Sequence, residues 1–236
     1  MTNYQKALRQ YEKAAEAQKN NFLSWDEVED ERHRAKIAES NGTPHAEAFA
    51  KYRKLYDQIL AESNDKTRAE IKARICAENV KCAIFADVMP IFAEVWNKYA
   101  GKKAGEKTRE KIKNDIQTRT GGAFYVSASF DTYRDIIYIR PQEQKYFYCF
   151  AIEANNWNSA RLTDDNNTIT AITPDAFKIS ARHYDDPEKA TAQLLKLHAE
   201  AEKAIEKARE AVKAYNDFNG ETCKRLDYIP STNRIL

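Results

Sequence analysis

Catalysis needs titratable side chains that converge, and two groupings in this sequence have the residue types for it. His183, Asp185 and Asp186 stand together, and a hydrolytic metal centre would take such residues with one more histidine or carboxylate. His198 lies about three turns further along the same expected helix, too far to share an ion with them. Asp186 is better used as a helix cap. Asp135, Glu143 and Lys145 have the types of a nuclease site, in which carboxylates hold a divalent ion and a lysine aids the attacking water. Glu143, however, falls in an expected turn, and Glu153 is followed two places later by Asn155 where lysine is required. The sequence holds no glycine-rich phosphate loop, Gly-x-Ser-x-Gly elbow, Cys-x-x-Cys pair or His-Glu-x-x-His. No catalytic residue, metal ligand or cofactor is assigned, and the chain is read as a non-enzyme.

Binding chemistry has three better candidates. The first is the run Lys102, Lys103, Lys107, Arg109, Lys111, Lys113 and Arg119, opposed only by Glu106, Glu110 and Asp115. It could neutralise phosphates, with Gly121-Gly122 offering backbone amides beside it. The plain alternative is a solvated helix face laced with Glu–Lys pairs. The second is the acidic run Asp26, Glu27, Glu29, Asp30 and Glu31 after Trp25. Acids at a helix start complement its dipole, and Trp25, Asp26, Glu29 and Asp30 could also dock a basic protein partner. The third is the aromatic set Phe124, Tyr125, Tyr133, Tyr138, Tyr146, Phe147, Tyr148, Phe150 and Trp157, a stacking surface if a strand face is left open and core if it is covered.

The elements that carry these groups follow from periodicity. Tyr4, Leu8, Tyr11, Ala15, Phe22 and Trp25 follow a helix stripe, carried by two helices or by one with a kink near Asn20. Ser24 and Glu27 form a capping box with Leu23 and Val28 as its staple. Asn41-Gly42 closes that helix, Thr43-Pro44 opens the next, and Asn64-Asp65 marks another boundary. A strongly apolar helix comes next, in which Pro90 is an expected stop or bend before Gly101. A short basic helix carrying Ile112 and Ile116 ends at Gly121-Gly122. The period then changes to strands: Phe124–Ala128, Ile136–Ile139 and Tyr146–Ile152, with a fourth at Thr168–Ile172 after the Asp164–Asn167 turn. Asp186-Pro187-Glu188 opens a long helix with Leu194, Leu197, Ala201, Ile205, Ala208, Val212 and Tyr215 in line.

The expected architecture is α+β. Residues 1–120 form a helical region and 121–180 a small antiparallel sheet of three to four strands. A long C-terminal helix over 181–220 packs back on the helices, and 221–236 is a tail. The narrow seams of the first and last helices would suit an antiparallel coiled-coil arm, a homodimer contact, or packing on the sheet. Lys plus Arg is 38 against 36 Asp plus Glu, so no overall field steers the chain to nucleic acid, and partners must be met by local patches. Four scattered cysteines, no apolar run long enough for a bilayer and no leader pattern give a cytoplasmic expectation; the cysteines are read as small buried residues. The leading function is a non-enzymatic interaction protein with a protein partner, in the style of inhibitors and accessory proteins of phages and mobile elements. A nucleic-acid binder using residues 102–119 is the alternative, followed by an enzyme of unrecognised class.

Overall fold

The computed structural model describes residues 2–19, 22–42, 44, 47, 49–130, 134–157 and 161–219, less the side chains of 60, 64 and 216–219. The fold is α+β, with mostly helical structure and one small antiparallel sheet, in the order α1 (Asn3–Gln18), α2 (Trp25–Ser40), α3 (Ala50–Asn97), α4 (Glu106–Arg119), β1 (Phe124–Phe130), β2 (Asp135–Pro141), β3 (Ile152–Asn155), β4 (Lys178–Ile179) and α5 (Pro187–Asn219). The sheet order is β1-β2-β3-β4. Two compact units interleave along the chain: Met1–Lys19 with Ala73–Asp185, and Asn20–Lys72 with Asp186–Leu236. Among the described residues no helix is long and apolar enough to cross a membrane.

In the first unit the core is built on α3. Val80, Ile84, Val88, Phe92, Val95 and Trp96 recur at helical spacing and are almost wholly buried. Their partners are the inward residues of the sheet, among them Val126, Ile137, Ile139, Ile152 and Ala154. The helix does not stop at Pro90, and α3 runs through it. An internal proline costs about 3 kcal/mol, but the fully buried Met89, Phe92 and Trp96 on either side each gain about 1.5–3 kcal/mol only if the helix continues. The boundary expected at Asn64-Asp65 is likewise absent. The Thr43 start lies outside the described residues.

The apolar stripe of α1 is taken up within this unit. Tyr4, Leu8 and Tyr11 pack on its core, Tyr4 edge-on to Phe124 at 5.2 Å and Tyr11 edge-on to Phe150 at 5.0 Å. Burial, reinforced by the nearby Glu143, pushes the Tyr4 phenol up to about 12.

Two strands differ from expectation. Residues Tyr146–Ile152 do not form one: Gln144–Tyr146 is a 3₁₀ turn and β3 begins at Ile152. Tyr146 and Phe150 are four apart and both turn inward, stacking at 5.4 Å, while the Tyr146 hydroxyl donates to Glu12. A continuous apolar run does not distinguish that helical step from a strand. The strand expected at Thr168–Ile172 is reduced to isolated bridges from Thr168 to Lys103 and Ile169 to Thr163, and β4 lies later, at Lys178–Ile179. The Asp164–Asn167 turn itself forms, with Asn167 at φ 56°. The segment after this turn is held by α3 instead of by a strand. Trp96 donates its indole N–H to the Thr170 carbonyl at 3.1 Å. Asn97 donates to the Ile172 carbonyl and accepts from its N–H, both at 2.9 Å. Asn79 grips Tyr184 in the same way at 2.9 and 2.8 Å. The two asparagines are about five helical turns apart, which puts them on one face of α3.

In the second unit, α2 begins on the expected capping box: Ser24 accepts from the Glu27 N–H at 3.3 Å, and Glu27 accepts from the Ser24 N–H at 2.8 Å. It closes at Asn41 and Gly42, the latter at φ 91°. Asp186 caps α5 by accepting from the Lys189 N–H at 3.0 Å. The buried stripe of α5 differs from the expected one at three positions, Leu197, Ala208 and Tyr215, all of which are exposed. Thr191, Leu194, His198, Ala201, Ile205 and Val212 form the covered face. Thr191, His198, Ile205 and Val212 repeat every seven residues, a register that polar types at two of the four positions hide from an apolar count. Of the cysteines, Cys76 is buried, Cys82 partly so, and Cys149 exposed, contrary to expectation; Cys223 lies outside the described residues.

Candidate functional site

The basic segment folds as α4 because Ile112 and Ile116, four apart, both sink into the core. That fixes the helix rotation and leaves its cations on the flanks and outer face. After the cap at Thr120, Gly121 and Gly122 adopt φ of 60° and 74°, a left-handed pair that reverses the chain into β1 at little steric cost. α4 and β1 consequently lie antiparallel. The Arg109 guanidinium stands 4.4 Å over the Phe130 ring at one end, and the Lys113 ammonium 5.8 Å over the Tyr125 ring at the other.

β1 is an edge strand of the sheet, and the register fixes which of its backbone groups β2 leaves unpaired. Ala123 accepts from the Gln142 N–H at 2.9 Å, and the pairing continues through Tyr125↔Arg140 and Ser127↔Tyr138. In an antiparallel ladder, bonded pairs alternate with non-bonded ones, so residues 123, 125, 127 and 129 bond β2. Val126 and Ala128 therefore point their N–H and C=O groups away from the sheet. A cleft of about 160 Å³ runs along this edge, lined by Tyr125 to Ala128 on one wall and by Arg109, Ile112 and Lys113 on the other.

The seven cations of this segment fall into distinct situations. Arg119 forms a two-pronged pair with Glu94 at 2.8 and 2.7 Å, which holds the Glu94 carboxyl below its usual range. Lys103 donates to the Asn166 carbonyl at 2.7 Å. Lys102 stands over the Tyr99 ring, and Lys113 also reaches Glu110 at 3.7 Å. Lys107 and Lys111 are exposed and have no hydrogen bond or ion pair among the described residues. Three of the sheet-region aromatics carry cations: Arg140 lies 4.4 Å from the Tyr125 ring and 3.9 Å from that of Phe147, and Lys145 lies 5.0 Å from the Tyr146 ring. Tyr138, 42% exposed, Tyr148, 88% exposed, and Trp157, 68% exposed, remain open. Tyr133 lies outside the described residues.

The acidic candidate belongs to the second unit. Trp25, 51% exposed, leans edge-on against Tyr56 at 5.7 Å. Asp26, Glu29 and Asp30 are exposed beside it, with Glu29 paired to Arg32 within the helix. Glu31 is engaged by Arg34 at 3.2 Å and Lys51 at 3.0 Å.

Two of the groups considered for catalysis, Asp135 and Asp186, have structural roles. His183 meets Asp185 at 3.3 Å, both well exposed, and Asp186 is a cap. Asp135 is buried and accepts from the Leu162 N–H; burial raises its pKa, against the lowering effects of that bond and of Arg161. Among the described residues no three His, Cys, Asp or Glu side chains gather into a group able to hold a metal.

Residue types alone did not mark Val126 and Ala128. The signal was positional: they occupy the first strand after a helix and a two-glycine reversal. No family model matches this chain, and neither does any curated protein or solved structure.

Proposed function

We propose that this chain is a non-enzymatic interaction protein whose protein partner seats on the α4–β1 face. The observation that carries the reading is a helix with cations on both sides: Arg109 and Lys113 line the cleft beside β1, and Lys107 and Lys111 are exposed on the outer side of the same helix, not neutralised by any described acid. Charges so placed set encounter rate and orientation, and the apolar and backbone groups behind them supply affinity. The nucleic-acid reading draws on the same cations and on exposed Tyr138. It is weakened because the rings nearest the cations already carry guanidinium or ammonium groups and so present less open face to a base.

The test is affinity capture from the native host with the wild type and with Lys107→Glu, Lys111→Glu and Lys113→Glu combined, read by mass spectrometry. A protein captured by the wild type should be lost with the triple variant while its thermal unfolding stays within about 1–2 kcal/mol of wild type. Retention of the same partner by the triple variant would move the contact off this face.

A further inference from the structure

We infer that Arg140 is the receptor for an acidic side chain of the partner, a carboxylate taken on the open edge of its guanidinium with Tyr138 and Tyr148 as apolar flanks. The inference rests on the α4–β1 face being the contact surface and names what the partner brings to it.

Tyr125 joins the two places. It lines the cleft beside α4 and pairs with Arg140 in the β1–β2 ladder. Val126 and Ile139, the next residues along the two strands, are buried, so alternation sets Tyr125 and Arg140 on the sheet face away from the core. The Arg140 guanidinium carbon lies 4.4 Å from the centre of the Tyr125 ring and 3.9 Å from that of Phe147. Aromatic rings hold a guanidinium through its faces. The N–H groups around its edge stay free to donate.

Among the described residues no acceptor takes those donors. Arg119 has Glu94, Arg134 has Glu153 and Arg161 has Asp165, whereas the half-buried Arg140 side chain has neither hydrogen bond nor ion pair. An arginine loses rotamer freedom when its fork closes on a carboxylate, and that loss weakens binding. Two rings have already fixed this one. The fork matches a carboxylate in geometry and in charge.

Open ring surface surrounds it. Tyr138, two residues before Arg140 on β2 and so on the same face, is 42% exposed, and Tyr148, 88% exposed, stands edge-on to Phe147 at 4.7 Å. Arginine and tyrosine are residue types that dominate interface energies. The cations of α4 draw an acidic partner in, and Arg140 holds it.

Two measurements test this. The first needs no partner: benzoate, a carboxylate on an aromatic ring, is titrated at constant ionic strength into the nitrogen-15-labelled full chain, and arginine Nε–H resonances are followed. The Arg140 signal should shift saturably, and that of Arg182, which lies 5.2 Å from the Tyr184 ring, should not. The second uses the protein captured by the wild type, bound to the immobilised full chain. Arg140→Lys keeps the charge and loses the fork, and should speed dissociation at least about tenfold with association changed less than about twofold. Tyr148→Ala should speed dissociation as well, whereas Lys107→Glu with Lys111→Glu should slow association. Should Arg140→Lys unfold, the photo-cross-linker p-benzoylphenylalanine in place of Tyr148 takes over, and its cross-link should map beside an aspartate or glutamate of the partner.

A benzoate shift at Arg140 no larger than at Arg182, or a partner that leaves Arg140→Lys no faster than it leaves the wild type, would overturn the receptor. So would inorganic phosphate or an oligothymidylate that displaces benzoate at lower concentration than benzoate itself binds, which would make Arg140 a phosphate site. A partner lost when Lys107, Lys111 and Lys113 are reversed, yet indifferent to Arg140→Lys, leaves the contact surface standing and removes the receptor. The opposite pattern keeps the receptor and moves the contact off α4. If no protein is captured, the contact-surface reading fails and the benzoate titration decides for Arg140.

Discussion

Asp135 shows how a residue with catalytic chemistry becomes a structural one. Its backbone N–H donates to Asn156 at 2.8 Å, and its carboxylate takes the Leu162 N–H, so it ties the segment after β3 to the start of β2. Burial raises its pKa above the usual 3.8, so the folded chain holds the proton more tightly than the unfolded one. Its contribution to stability is therefore fullest below the usual carboxylate pKa and declines as pH rises through the folded value. Asp135→Asn keeps an acceptor for Leu162 and removes the charge. Urea unfolding tracked from about pH 3 to 7 should show that decline flattened and no loss of stability at neutral pH. Asp135→Ala leaves the Leu162 N–H unpaired and should cost about 1–3 kcal/mol. The sequence showed an acid among β-branched residues and no more than that. Its partner is 27 positions away, a distance at which local patterning carries no information.

At the scale of elements, what could be read from the sequence was whatever local chemistry decides. The Ser24–Glu27 capping box, the Asn41-Gly42 and Gly121-Gly122 closures and the Asp186 cap all form where residue type placed them. Elements decided by distant partners were not legible. α3 passes two break signals because its core demands a continuous stripe, and the 168–184 segment lies along α3 where a strand was expected. Asn79 and Asn97 supply to that segment what a neighbouring strand would have supplied, an acceptor and a donor to one residue at a time. Asn97→Ala should lose about 1–3 kcal/mol through the unpaired Ile172 groups, and Asn79→Ala similarly through Tyr184. Because the two sites lie far apart along the helix, the double variant should show the sum to within about 0.5 kcal/mol, a comparison that chemical denaturation makes directly.

At the scale of the whole molecule, acidic and basic faces belong to different units, so each can be altered separately. Reversing Asp26, Glu29 and Asp30 to lysine should leave the α4-dependent capture intact, and should lower stability by no more than about 1 kcal/mol per site through the α2 dipole. Loss of the same partner with that triple variant would show that the Trp25 region also takes part in holding it. The interleaving of the units carries a further consequence for how the chain is made. Synthesis proceeds from the N-terminus, yet α1 finds some of its partners late: Glu12 waits for Tyr146, 134 residues downstream. At translation rates of about 5–20 residues per second, α1 can meet its α3 partners near Ala73 and Asp87 first, and its contact with Tyr146 follows on the order of ten seconds after Glu12 is made. The second unit waits longer still, since α5 begins only at Pro187, after the whole second stretch of the first unit. Neither unit can be completed by finishing an earlier stretch of the message, so full protection of the nascent chain should arrive late.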